Sequence, residues 1–292
     1  MTVKLKKVKF GAAGNSLSFY EEGHKSTLEA FAWLKNRGLD AYEYQAGKGL
    51  YASEKTLRAM GEKARENGIS VSLHAPYFIS LSSVDDSLRQ KSVKYILMSG
   101  GAADFLGADI FVVHSGSSAR LEREDAMLKA ISTLEAAAEA MAENGIKAKA
   151  GLETMGKINQ LGTVEEVIRL CKVAPDMFYP VVDFGHLNAR TVGGISTKDD
   201  FKKIFDAIAE GLSPERAENL HCHFSKIEYT NMGEKKHLTF TDKKYGPDEG
   251  LFAAAIAEMG VSPTVICESD GTMAEDALTL KKLYERELSE VR

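Results

Sequence analysis

Short runs of β-branched and aromatic residues alternate along the chain with longer stretches whose apolar residues recur at helical spacing. These two periodicities are typical of strands and of amphipathic helices, respectively. The strand candidates are 8–10, 41–44, 69–74, 109–114, 149–153, 178–183, 219–223 and 264–268. The helical patterns are 26–37, 53–67, 86–106, 123–144, 163–173, 198–210, 248–259 and 274–289. Eight strands, each followed by a helix, predict an α/β protein with a closed parallel (β/α)8 TIM barrel.

Individual residues mark the ends of the predicted helices. Gly38, Gly68 and Gly145 stand where three helical patterns should end, and Thr163 with Glu166 has the spacing of a capping box. Segment 224–247 fits no barrel element, so it predicts a long loop after strand seven. Since 292 residues suit one such barrel, we expect a single domain over 1–292.

Composition narrows the class of protein. The chain is 44% hydrophobic and 27% charged with a net charge of −5, which argues against disorder and against coating nucleic acid through bulk charge. No apolar run reaches the length of a membrane span and no signal peptide is evident, so we expect a cytoplasmic protein without membrane contact. Its three cysteines lack zinc-ribbon or redox spacing and predict buried, reduced thiols.

Side chains suited to binding a metal stand at the C-terminal ends of six successive predicted strands, the end at which barrel active sites are built. They are His74, His114, Glu153, Asp183, either His221 or His223, and Glu268. A single histidine at a strand end is more often structural than a ligand. Three carboxylates in a barrel mouth need compensating charge, however, and no Lys or Arg shares their register. The pattern therefore predicts divalent metal ions, with zinc favoured over manganese or iron by the histidines.

The segments SLHAPY, FVVHSG, GLETMG, VVDFGHLNAR, NLHCHFSK and VICESDG resemble the endonuclease IV family of abasic-site endonucleases, (β/α)8 barrels that hold three zinc ions. The resemblance implies a first site of His74, His114 and Glu153. It implies a second site that contains Glu153, Asp183, His221 and Glu268, and a third that contains His186 and His237. His221 is preferred to His223 because HCHFSK then matches the family segment without a gap.

Two departures from the family pattern affect these expectations. The Asp that completes the family's third site is replaced by Lys235, and Glu234 is the candidate substitute. At the DNA-reading loops the chain offers Tyr77 and Phe78 after strand three, and only Lys48 after strand two. Phe78 could wedge into a base stack, although both aromatic residues could equally pack on the barrel rim.

The function implied by the resemblance is cleavage of the DNA backbone 5′ to abasic sites, leaving a 3′ hydroxyl and a 5′ deoxyribose phosphate. Glu153 would orient or deprotonate the attacking water, with two or three zinc ions, or manganese, as cofactors. The expected partner is double-stranded DNA with abasic sites, and the expected oligomeric state is a monomer. Further basic residues on loops at the same face are candidates for phosphate contacts: Lys157, Arg190, Lys226, Lys235 and Lys236.

Two alternatives remain. A sugar isomerase or epimerase of the xylose isomerase-like barrels would use one divalent ion with Glu153, Asp183, His186, His221 and Glu268. It would not need His74, His114 and His237 as ligands, so these three favour the nuclease. A barrel that binds damaged DNA without cutting it is the other alternative, against which the intact Glu153 and Glu268 argue.

Overall fold

The computed structural model describes residues 7–118 and 121–291. A closed barrel of eight parallel strands forms its centre, with neighbours in the order β1, β10, β7, β6, β5, β4, β3, β2 and back to β1. The barrel strands are β1 (Lys9–Ala13), β2 (Ala41–Gln45), β3 (Ser70–His74), β4 (Ile110–His114), β5 (Lys149–Glu153), β6 (Phe178–Asp183), β7 (His221–Phe224) and β10 (Thr264–Cys267). The predicted (β/α)8 fold is confirmed.

Helices surround the barrel, and a 3-10 turn, Thr27–Glu29, leads into the second of them. They are α1 (Leu17–Glu21), α2 (Ala30–Asn36), α3 (Glu54–Asn67), α4 (Asp86–Leu106), α5 (Arg123–Glu143), α6 (Val164–Cys171), α7 (Phe184–Arg190), α8 (Lys198–Gly211), α9 (Pro214–Glu218), α10 (Glu249–Met259) and α11 (Met273–Val291). The short helices α1, α7 and α9 were not predicted, because five to seven residues are too few to show a helical period.

The residues predicted to begin and end helices do so in the structure. Thr163 and Glu166 form a capping box at the start of α6, which satisfies two backbone N–H groups that the helix itself leaves unpaired. Gly68 ends α3 in the left-handed conformation, which costs glycine little. Where β1 approaches β2, a Cβ on Gly11 would lie 2.2 Å from the carbonyl oxygen of Ala41, so only glycine fits there.

The hydrophobic core fills the space between the strands and the helix layer. On the β6–β7 side it includes an aromatic cluster in which Phe252 packs against Phe184, Phe201 and Phe224, with ring centroids 4.8 to 5.5 Å apart. Each of these rings is fully buried. Cys171, Cys222 and Cys267 are free and buried, as the sequence predicted. No helix within the described ranges has the length and apolarity needed to span a membrane.

The long loop predicted over 224–247 contains regular structure that the sequence did not predict. Residues 226–238 form an antiparallel hairpin, β8 (Lys226–Thr230) with β9 (Gly233–Leu238), beside the barrel mouth. Its tip docks on the loop after β5, where Glu234 N donates to Gly156 O at 3.1 Å. A Cβ on Gly233 would lie 2.2 Å from that same oxygen, so the close approach requires glycine at this position. The lysine-rich polar sequence obscured the strands because charged residues are depleted in most strands.

Candidate metal centre

Ligand-type side chains meet at the C-terminal mouth of the barrel. His74, His114, Glu153 and Asp183 are the last residues of β3, β4, β5 and β6, and Glu268 follows β10 directly. Neighbouring parallel strands align these ends, since His114 pairs with Glu153 and Asp183 pairs with His223 in the strand register. The structure therefore brings together the residues predicted from five of the six strand ends, with one change on β7.

The first cluster contains His74, His114 and Glu153, whose ligand atoms all lie within 4.8 Å of one another. Glu153 Oε2 is 3.5 Å from His74 Nε2 and 3.4 Å from His114 Nε2. His74 Nδ1 lies 2.9 Å from the carbonyl oxygen of Ala75, which can only accept, so Nδ1 donates and Nε2 is the nitrogen directed at Glu153 that an ion could bind in place of its proton. These three side chains would hold one divalent ion, and imidazole with carboxylate ligands suits zinc.

The second cluster contains Glu153, Asp183, His223 and Glu268. His223 Nδ1 lies 2.8 Å from Glu153 Oε1 and 3.6 Å from Glu268 Oε1. Spacing left His221 and His223 open and the family resemblance preferred His221, whereas the structure groups His223 with the three carboxylates and His221 with Glu43 and His223. The two histidines project inward at successive levels of β7, and only His223 is level with the three carboxylates. Alignment by an ungapped motif could not resolve this, because residues two apart on a strand face the same way.

His221 lies deeper in the barrel than His223, and it contacts a residue that was not predicted from the sequence. His221 Nε2 lies 3.0 Å from Glu43 Oε2, and Glu43 is completely buried on β2. The available signal was a charged residue in the apolar strand AYEYQ, where burial without a partner would be costly. It was overlooked because Glu43 stands two residues before the end of its strand.

The third cluster contains His186, Glu234 and His237. In a regular strand Glu234 and His237, three apart, would face opposite sides. β9 has a bulge, however: Tyr229 pairs with Glu234 and Glu228 pairs with Lys236, so Lys235 is the extra residue. The bulge turns Glu234 and His237 to the same side, while Lys235 turns outward and bonds Glu228 at 2.6 Å. Glu234 thus occupies the place that the resemblance had left open.

The histidines of this cluster are held by hydrogen bonds on their other nitrogens. His186 Nδ1 lies 2.9 Å from the carbonyl oxygen of Thr154, and His186 Nε2 lies 3.5 Å from Glu234 Oε2. His237 Nδ1 lies 2.8 Å from the hydroxyl of Ser225. These contacts leave the Nε2 atoms of both rings as the nitrogens that could bind a shared ion once they carry no proton, as in metal sites whose ligands are oriented by outer hydrogen bonds.

Two buried oxygens indicate that the clusters fit metal ions. Glu153 Oε2 and Asp183 Oδ2 have no hydrogen-bond partner within the part of the chain that the structure describes. Leaving a buried carboxylate oxygen unpaired costs on the order of 1–3 kcal/mol or more. A divalent cation bound to these oxygens would remove that cost, and imidazole with carboxylate ligands suits zinc or manganese.

The charges of the site support the same interpretation. Burial alone would raise the pKa of Glu153, but the charged imidazole of His223, its hydrogen bond to Oε1 and the nearby imidazole of His74 hold it well below its usual range. Burial opposes the charged forms of His74 and His186, yet the nearby carboxylates raise the pKa of each to about 9. Burial lowers the pKa of His114 to about 3. Protons on imidazoles thus balance the carboxylates, and cations could replace them.

The rim of the mouth carries the predicted DNA contacts. Tyr77 is 59% exposed and Phe78 is 42% exposed, and the Phe78 ring packs edge-on against Tyr95 at 4.8 Å. Lys48 is exposed on the loop after β2, and that loop contacts the aromatic pair through a hydrogen bond from Tyr77 N to Gly47 O. The contact with Tyr95 shows that Phe78 packs on the barrel rim. The exposed parts of both rings are nevertheless accessible to a ligand.

Two of the basic residues suggested as phosphate contacts have structural roles. Arg190 donates to the carbonyl oxygens of Met155, Lys157, Ile158 and Gln160, so its guanidinium holds the loop after β5. Lys226 is 6% exposed and donates to the carbonyl oxygens of Phe240 and Asp242. Lys157, Lys235 and Lys236 remain exposed near the mouth.

The family model described as "Xylose isomerase-like TIM barrel" matches residues 31–287. The chain belongs to this family. Among curated relatives, this xylose isomerase-like barrel is 28% identical over 275 residues to an uncharacterized protein of Methanocaldococcus jannaschii, covering 94% of this chain and 96% of the relative. It is 26% identical over 211 residues to a probable endonuclease 4 of Aquifex aeolicus, covering 69% of this chain and 73% of the relative.

Solved structures of both nucleases and epimerases superpose on this xylose isomerase-like barrel. Endonuclease IV from Thermus thermophilus matches with a TM-score of 0.69 at 19% identity, over 97% of this chain and 99% of that chain. A D-tagatose 3-epimerase-like protein matches with a TM-score of 0.68 at 20% identity, over 98% of this chain and 100% of that chain. At these identities the likeness concerns the fold alone, so the choice between the two chemistries depends on the site.

Proposed function

We propose that the chain is a divalent-metal-dependent phosphodiesterase that cuts double-stranded DNA on the 5′ side of abasic sites. Ligand-type side chains of the described residues form five clusters at the mouth, four of which overlap. The observation that carries the proposal is that these include, beside the second cluster, the first cluster, which shares Glu153 with it, and the separate third cluster. An isomerase working through one ion needs only the second cluster. The first and third clusters would have no task in such an enzyme.

The chemistry matches the hydrolysis of a phosphodiester. Clustered divalent ions, when bound, activate water and stabilise the charge on the phosphoryl and leaving oxygens. Glu153 lies between the first two clusters, and its depressed pKa keeps the carboxylate charged at neutral pH. With ions bound, Glu153 would hold those of the first two clusters and orient the attacking water. His186, Glu234 and His237 would hold the third ion.

The surface around the mouth suits a duplex with a flexible, unpaired position. Tyr77 and Phe78 present aromatic area beside the first cluster, and apolar side chains of this kind can unstack and bend DNA. Lys48, Lys157 and Lys236 are exposed on loops or strands at this face and would contact backbone phosphates. Binding through such contacts should weaken steeply as salt concentration rises.

An epimerase acting on a sugar remains the second candidate. The observation in its favour is that Glu153, Asp183, His223 and Glu268 form a complete four-ligand set on their own. Burial raises the pKa of Glu268, which would suit a carboxyl group that exchanges protons with a substrate. The proposal of a nuclease therefore requires that the other two clusters also be occupied.

A nicking assay tests the proposal. A duplex oligonucleotide with one stable abasic analogue is incubated with zinc- or manganese-loaded protein, beside an intact duplex and a chelator-treated sample. We expect a chelator-sensitive cut immediately 5′ to the analogue. Glu153→Gln, purified in the same way, should lose the cut, whereas Glu165→Gln, on the exposed face of α6, should retain it.

Failure of the metal-loaded protein to cut the abasic duplex would refute the nuclease. The same preparation would then be tested for exchange of solvent deuterium into a panel of ketoses. Exchange that depends on Glu268 would support the epimerase instead. Metal counting adds an independent measurement, because about three ions per chain favour the nuclease and one ion favours the epimerase.

A further inference from the structure

A buried carboxylate lies directly below the second cluster. Glu43 is completely buried, and its Oε2 accepts a hydrogen bond from Ser72 Oγ at 2.9 Å and lies 3.0 Å from His221 Nε2. Its Oε1 accepts a hydrogen bond from Gln45 Nε2 at 3.1 Å. Both oxygens thus have protein partners, in contrast to the unpaired oxygens of Glu153 and Asp183. The contrast indicates that Glu43 does not itself await a metal ion.

His223 connects Glu43 to the metal centre. Its Nε2 lies 3.1 Å from Glu43 Oε1, and its Nδ1 lies 2.8 Å from Glu153 Oε1. Since ionised carboxylates can only accept, the ring of the metal-free protein carries a hydrogen on each nitrogen, one toward Glu43 and one toward Glu153. A cation in the second cluster would replace the hydrogen on Nδ1, while the contact with Glu43 would retain the one on Nε2.

We propose that Glu43 is a positioning residue that fixes the tautomer and the orientation of His223 for metal binding through Nδ1. The inference rests on the proposed metal-dependent function, because it assigns a role inside that centre. Ser72 and His221 hold the carboxylate from the other side, so the ring of His223 is fixed from below by a prearranged group. Loss of such an outer partner commonly weakens metal binding by about 10- to 100-fold.

The test compares zinc affinity in Glu43→Gln and in the wild-type chain by competition with a chromophoric chelator. Glutamine keeps the size of the side chain but removes the charge, and we expect about 10- to 100-fold weaker binding at one site. Ring ¹⁵N spectra of the zinc-loaded wild-type protein should show His223 protonated on Nε2, and the variant should lose this single state. Asp40→Asn is the matched control, since Asp40 precedes the other end of β2 and pairs with Lys281 at 2.7 Å. It should leave zinc affinity unchanged even where stability falls.

A double-mutant cycle separates positioning from general damage. In a His223→Asn background, Glu43→Gln should cause little further loss of zinc affinity, because Glu43 acts through the ring that is already absent. Independent, additive losses would overturn the inference. If Glu43→Gln fails to fold, Ser72→Ala replaces it, and it should weaken zinc binding severalfold.

The outcomes distinguish this inference from the proposed function. Unchanged zinc affinity in Glu43→Gln, or in Ser72→Ala where that variant replaces it, would overturn the positioning role and leave the metal centre intact. A wild-type chain that binds no zinc or manganese would overturn the metal-dependent function and the positioning role together. The wild-type titration alone reveals that second case.

Discussion

The protons on the buried histidines predict how the metal-free protein responds to pH. In the folded chain the carboxylates around His74 and His186 outweigh burial and raise the pKa of each imidazole to about 9, from an ordinary value of 6.5. A group with a raised folded pKa stabilises the fold fully below the unfolded pKa and loses that contribution as pH rises through the folded value. Chelating the metal and raising the pH from 6.5 to 9 should therefore destabilise the protein.

The size of the effect follows from the same values. At about 1.4 kcal/mol per pH unit, each imidazole accounts for on the order of 3 kcal/mol. The pKa of His223 is also raised by its neighbouring carboxylates against the effect of burial, so it acts in the same direction. The depressed pKa of His114 acts only below pH 6.5 and leaves this window unaffected. The free energy of unfolding should fall by several kcal/mol across the window.

Urea denaturation measures this loss. Trp33 is the single tryptophan and is 5% exposed, so its fluorescence reports unfolding. The zinc-loaded protein provides the comparison, because bound cations replace the protons and its stability should change little between pH 6.5 and 9. His74→Asn should reduce the slope of the metal-free protein. Metal-free protein that is as stable at pH 9 as at pH 6.5 would refute the reasoning.

Three further predictions concern the hairpin, the rim and the core. Deleting Lys235 should remove the bulge and cost about one metal equivalent by elemental analysis, while Lys235→Ala should retain it; equal metal content in both would contradict the role of the bulge. Phe78→Ala should lower kcat/KM on abasic duplex about tenfold without changing metal content, as expected from the loss of on the order of 1–3 kcal/mol of stacking. A cut as efficient as that of the wild type would assign Phe78 to packing. Phe252→Ala should lower the free energy of unfolding by about 3–5 kcal/mol in urea, and a loss below 1 kcal/mol would show that the aromatic cluster repacks.

The sequence predicted most of the barrel because its strands and helices repeat with clear periodicity. Strand ends could be located from apolar runs that stop at His74, His114, Glu153 and Asp183, and the closed fold then brought these residues together without further information. The hairpin was missed because its strands are polar and face solvent on one side. Its lysines conceal the alternation that identified the barrel strands.

The depth of each side chain inside the barrel was the second feature that could not be predicted from the sequence. Spacing along β7 shows that His221 and His223 share a face, but the level at which each meets its neighbours depends on how the strands are staggered. Glu43 was missed for a related reason, since its partners come from β3 and β7, which are distant in sequence. Such contacts are properties of the closed barrel and have no local signature.

The bulge in β9 has a wider consequence for how sites of this kind are detected. One inserted residue allows a ligand pair spaced three apart to occupy the position that a pair spaced two apart would occupy on a regular strand. Motif searches that fix the spacing would classify this chain as deficient at that site, and would discard others like it. Ligand sets in hairpins are better compared after superposition, where the direction of each side chain replaces its distance along the sequence.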